Sequence, residues 1–112
     1  MEKLSTATCE ACDISAKPAT EQETKTLLSQ LTGWEIINEA GIQMLSQTFT
    51  TKNYTKSMSF TNDVAKLAES INHHPQMVVE YGSVTVIWWS HKIKGLHKND
   101  FIMAAKTSEL FE

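Results

Sequence analysis

The sequence predicts an α+β fold: a two-layer sandwich with helices on one face of a four-stranded antiparallel sheet, in the order α-β-β-α-β-β-α. Three observations carry this expectation. Three segments repeat apolar residues at every third or fourth place, the period of a helix with one buried face. Four short runs are rich in β-branched and aromatic residues. Those runs come in two pairs, each joined by a glycine-bearing turn too short for the crossover that parallel strands need.

Residues 1–19 read as an arm ending at Pro18, and residues 20–112 as one domain without linker or repeat. Thr20-Glu21-Gln22-Glu23 is a capping-box sequence, and Leu27, Leu28 and Leu31 follow at helical spacing until Gly33, so a helix is expected over about 20–31. Trp34 to Asn38 and Ile42 to Thr50 flank a Glu39-Ala40-Gly41 turn and read as a hairpin. From Asn53 onward Tyr54, Met58, Thr61, Val64, Ala68 and Ile71 mark the longest helix. It should end near His73-His74-Pro75, because proline disfavours helical geometry in the residue before it. Met77 to Tyr81 and Ser83 to His91 flank Gly82 as a second hairpin, and Lys98 to Phe111 form the last helix.

At 112 residues the chain buries roughly two-thirds of its surface on folding, enough for one core. Its 41% hydrophobic and 21% charged residues are those of a folded globule. No apolar run approaches the ~20 residues of a membrane helix and the first residues lack a secretory signal, so the expected location is the cytoplasm. A net charge of -3 excludes the basic field that gathers nucleic acid or anionic lipid, which leaves small molecules and other proteins as partners. Apolar strands in so small a domain leave two sheet edges to hide, which predicts a homodimer or homotetramer. Cys9 and Cys12 form half of a zinc site, with no second cysteine pair, and are read as part of an arm without catalytic role.

Four histidines are the chemistry-bearing residues. His73 and His74 close the long helix, His91 closes the last strand, and His97 lies near. Imidazole gives and takes protons near neutral pH, so several together suggest acid-base work. Glu69, four residues before His73, shares its helical face in this reading and could orient the ring. The plainer reading is that histidines before a proline complement a helix C-terminus, in which case His73→Ala should cost at most about 1 kcal/mol. Adjacent histidines point about 100° apart on a helix and no zinc spacing appears, so no metal site is expected. Trp88 and Trp89 alternate across the sheet, and the one facing away from the helices is either a contact between copies or a wall for a flat heterocycle.

The chain resembles the pterin-4a-carbinolamine dehydratases from Trp34 to its C-terminus. The resemblance rests on Glu69, three residues, His73-His74-Pro75, five residues, Tyr81, nine residues, His91, eight residues and Asp100. Gly33-Trp34, Gly95-Leu96 and the Cys-x-x-Cys arm of bacterial members add to it. Two positions depart from the pattern. Asn72 stands where many members have Asp, and His97 replaces the Ser or Thr that caps the last helix, at a cost of about 1 kcal/mol unless Asn99 or Asp100 compensates.

The resemblance implies dehydration of 4a-hydroxy-tetrahydrobiopterin, released by an aromatic amino acid hydroxylase, to quinonoid dihydropterin, with neither metal nor organic cofactor. It casts His73 and His91 as acids at the 4a-hydroxyl and His74 as a pterin-binding group and possible base. Glu69 and Asp100 would fix tautomers, and Asn72 to His74 with Trp89, Ser90, His91 and Lys92 would line the pterin site. Pro75 and Tyr81 are further motif positions. The alternative is a non-catalytic dimerisation cofactor on the same fold, as in animal relatives that bind a homeodomain transcription factor.

Overall fold

The computed structural model describes residues 19–91 and 93–111. The arm up to Pro18, with Cys9 and Cys12, and Lys92 lie outside the described residues. Ala19, assigned to the arm by sequence, is joined to the fold: its N–H donates to Leu96 O (2.8 Å).

Helix α1 (Glu21–Leu28) begins at a capping box: Thr20 Oγ1 accepts from Glu23 N–H and Glu23 Oε1 accepts from Thr20 N–H. It ends three residues earlier than expected because its end tightens into i→i+3 bonds, Gln30 N–H to Leu27 O and Leu31 N–H to Leu28 O. Strands β1 (Glu35–Glu39) and β2 (Ile42–Thr50) meet in a two-residue turn. Ala40 and Gly41 both have positive φ (51° and 83°), the type I′ geometry that matches strand twist. Trp34 stays outside β1, buried, with its indole N–H donated to Ser108 Oγ of the last helix.

Helix α2 (Tyr54–Ile71) is capped by Asn53, whose side chain accepts from Lys56 N–H. Strands β3 (Gln76–Glu80) and β4 (Ser83–Trp88) follow, then α3 (Lys98–Phe111). The expected order is observed, and the sheet runs β1-β2-β4-β3 with every pair antiparallel. A further boundary differs: β4 ends at Trp88, three residues before His91. Its last partner on β3 is Gln76, and Pro75 beyond has no N–H to extend the ladder, so Trp89 to His91 leave the sheet.

The register puts Leu45, Phe49, Val84, Val86 and Trp88 on the face that meets Phe60, Val64 and Ala68 of α2 and Phe101 and Met103 of α3, all buried. On the opposite face Thr48 and Thr85 share a hydroxyl hydrogen bond and Val78 is exposed. Helices thus cover one face of the sheet, which brings the C-terminus of α2, the end of β4 and the N-terminus of α3 to one end of the sandwich.

Candidate active site

Asn72 decides where the two adjacent histidines go. It sits in the left-handed region (φ 58°), which asparagine tolerates better than most residues, and α2 stops there. His73 N–H then donates back to Ala68 O, the closing bond of a Schellman turn. The helix therefore ends before His73, and the expected i,i+4 pairing of Glu69 with His73 does not form. Glu69 Oε2 instead meets His74 Nε2 at 2.5 Å, an open pair with side chains 75% and 52% exposed.

His73 turns inward. It is buried, its Nε2–H donates to Asp100 Oδ1 (2.7 Å), and its ring lies over Trp88 with centroids 5.6 Å apart and planes 15° from parallel. Asp100 is fully buried and accepts two further hydrogen bonds on Oδ2, from Ser90 O–H (2.7 Å) and His97 N–H (2.9 Å). With the carboxylate as acceptor, His73 holds a proton on Nε2, and Nδ1 is left as the atom that takes or gives one. Trp88 is fixed in turn by its indole N–H on Thr107 Oγ1 (3.1 Å).

The segment after β4 carries the third histidine. Ser90 and Gly95 bridge each other, closing a short loop in which Lys94 takes positive φ (52°). His91, at the start of that loop, is exposed and stacks on half-buried Trp89, with centroids 4.2 Å apart and planes 11° from parallel. Trp88 and Trp89 thus divide the work: Trp88 faces the helices beneath His73, and Trp89 carries His91.

His73 and Ser90 both bond to Asp100, and His91 and Trp89 adjoin Ser90 in the chain. Glu69 and His74 form a separate pair on the solvent side. Pro75 immediately precedes β3, and Asn72 is exposed at the helix end. Tyr81 stands apart: it lies in the β3–β4 turn, 69% exposed, beside the opposite end of α2, where Ser57 O–H donates to its carbonyl. That is the length of β3, roughly 17 Å, from the histidines. Sequence reasoning missed the stacking of Trp88 under His73 and the hydroxyl link from Ser90. His97, expected to weaken the cap unless Asn99 or Asp100 compensates, bonds to both: its Nδ1 accepts from Asn99 N–H and its own N–H donates to Asp100 Oδ2.

Among the described residues no three His, Cys, Asp or Glu side chains converge as a set of metal ligands. A cavity of about 390 Å³, lined by Phe60, Phe111, Lys52, Lys56 and Asp63, lies along the N-terminal half of α2, and none of the three histidines of the candidate site lines it.

The profile of the family described as pterin 4 alpha carbinolamine dehydratase matches residues 17–110. A Nitrosococcus oceani protein named "Putative pterin-4-alpha-carbinolamine dehydratase" is 52% identical over 112 residues, 100% of this chain and 99% of its own length. A Syntrophotalea carbinolica protein of the same name is 50% identical over 112 residues, 100% of both chains. The crystal structure of a transcriptional coactivator/pterin dehydratase from Brucella melitensis superposes with a TM-score of 0.78 at 27% identity, covering 86% of this chain and 100% of its own. A buried imidazole locked on a carboxylate, set in this fold and in a sequence matched along nearly its whole length, places the chain in the pterin 4 alpha carbinolamine dehydratase family.

Proposed function

We propose that this protein dehydrates a 4a-hydroxy-tetrahydropterin by histidine acid-base catalysis, in the recycling of the pterin that an aromatic amino acid hydroxylase has oxidised. The observation that carries the reading is His73: Asp100 occupies one ring nitrogen and leaves the other for proton transfer. In the reaction an acid protonates the 4a-hydroxyl, the C4a–O bond breaks as water leaves, and loss of the N5 proton completes the C4a=N5 double bond. His73 and His91 are the acids in this reading and His74 the pterin-binding group and base. Backbone groups from Asn72 to His74 and from Trp89 to His91 line the substrate. The enzyme works in the cytoplasm as a homodimer or homotetramer and uses no resident metal or organic cofactor.

The test is to generate the carbinolamine with a hydroxylase and follow its ultraviolet decay with and without the protein. His91 is exposed and its removal leaves the core intact, so His91→Ala should lose about 10²-fold in rate at unchanged stability. Decay no faster than the spontaneous rate with the parent protein would overturn the reading. A second reading is favoured by the name of the Brucella melitensis structure, which pairs coactivator with dehydratase. In that reading the fold serves a protein partner, and histidine variants would keep the biological effect while losing dehydration.

A further inference from the structure

We propose that His97 is a positioning residue for the His73–Asp100 pair, acting through an imidazole-built cap on α3. The proposal rests on the acid-base reading of His73 and adds a residue to which that reading assigns no role.

His97 is buried, immediately before the first residue of α3. Its Nδ1 accepts from Asn99 N–H (3.1 Å), and its own N–H donates to Asp100 Oδ2 (2.9 Å). Asp100 N–H donates back to His97 O (2.9 Å). These bonds are a variant of the capping box: the imidazole nitrogen takes the second amide of the helix, where the usual hydroxyl takes the third, and the acid three residues on returns the bond to His97 N–H. An imidazole can accept at Nδ1 only with no proton there, so His97 is the neutral ring protonated on Nε2. The residue before it is also held, since Leu96 is buried and its carbonyl accepts from Ala19.

The same carboxylate serves the helix and the histidine. Oδ2 faces His97 N–H and Ser90 O–H while Oδ1 faces His73, so the cap sets the rotation that presents Oδ1. Without the His97 acceptor the first turn of α3 loosens and the carboxylate can rotate about its two side-chain bonds. His73 then loses its fixed tautomer, although nothing in contact with substrate has been removed. A displacement of about an ångström in a catalytic group can cost on the order of 10²-fold.

The experiment compares the parent with His97→Ala, His97→Gly and His97→Asn. Asparagine is a strong cap with a side-chain acceptor; glycine caps through its backbone freedom but supplies none. The expected result is a kcat lowered about tenfold or more in the Ala and Gly variants with KM changed less than about twofold, and recovery to within about threefold in His97→Asn. Nitrogen-15 spectra of the parent should show His97 with bare Nδ1 and His73 with a slowly exchanging Nε2–H. That proton should exchange faster in the Ala and Gly variants and be protected again in His97→Asn. A Gly variant with parental kcat and parental His73 exchange would overturn the proposal, as would a parent His97 protonated on Nδ1. If the parent fails to dehydrate the carbinolamine, the proposed function falls while the spectra still decide the positioning role.

Discussion

One nitrogen of His73 is committed to Asp100, as one nitrogen of His74 is to Glu69, and burial is what separates the two pairs. The His73 pair is buried, so removing the ring leaves Asp100 short of a donor and opens a gap over Trp88. The sequence-based expectation of at most about 1 kcal/mol for His73→Ala treated it as a surface helix end. Breaking a buried pair from one side costs about 3–5 kcal/mol. The His74–Glu69 pair is open to water, where such pairs contribute about 0–1 kcal/mol. Urea unfolding at neutral pH should therefore show a large loss of midpoint for His73→Ala and a small one for His74→Ala, with the slope unchanged in both. Equal losses would show that burial does not distinguish the two. The sequence named both histidines and both carboxylates, but it paired Glu69 with His73, because an i,i+4 rule holds only while the helix lasts. The left-handed residue that ends it, Asn72, is a backbone event that spacing does not reveal.

The ends of the helices, more than their middles, decide what this fold can do. Periodicity located all three helices and four strands, since a buried face imposes its period on the sequence. It misjudged ends set by single hydrogen bonds or by a missing one: α1 tightened early, and β4 stopped where Pro75 cannot pair. At the end of α2, Asn72→Gly should be tolerated, whereas Asn72→Val places a β-branched residue at positive φ and should destabilise by about 1–2 kcal/mol. The check is thermal unfolding alongside the carbinolamine assay, with the Val variant losing activity as its histidines lose their directions. At the start of α1 the Glu23 carboxyl is held below the usual carboxylate range, first by the hydrogen bond from Thr20 N–H and then by that from the Thr20 side chain. A lowered folded pKa means that the cap's contribution is present above the ordinary glutamate value and disappears as pH falls through the lowered one. Exchange protection of the Thr20 amide should fade with acid in the parent. In Glu23→Gln, which keeps the acceptor without the titration, it should be insensitive to pH over that range.

Among the described residues, four strands closed on one side by helices leave one sheet face without a helix on it and two edge strands, β1 and β3. The interior needs nothing more: Trp34, Phe49, Phe60 and Phe111 interlock at one end, with centroids 4.9 to 5.9 Å apart, and Trp88 with His73 fills the other. The edges are what a second copy would cover, and their sequences differ in how well they suit a two-fold axis. A symmetric antiparallel pair centred on Ile37 of β1 sets Glu35 against Glu39 of the other copy, a like-charge contact made twice. Centred on Val78 of β3, the same arrangement sets Gln76 against Glu80, which can hydrogen-bond, and exposed Val78 against itself. It also sets the Tyr81 position of one copy across from Pro75 of the other, bringing the one motif residue that stands apart within a single chain beside the histidines. Light scattering at micromolar concentration should therefore give twice 12.6 kDa or a multiple of it. Val78→Lys should shift the mass toward 12.6 kDa, and Ile37→Lys should leave it unchanged. A monomeric parent, or dissociation by Ile37→Lys alone, would remove β3 as the assembling edge and with it the route by which Tyr81 reaches a site.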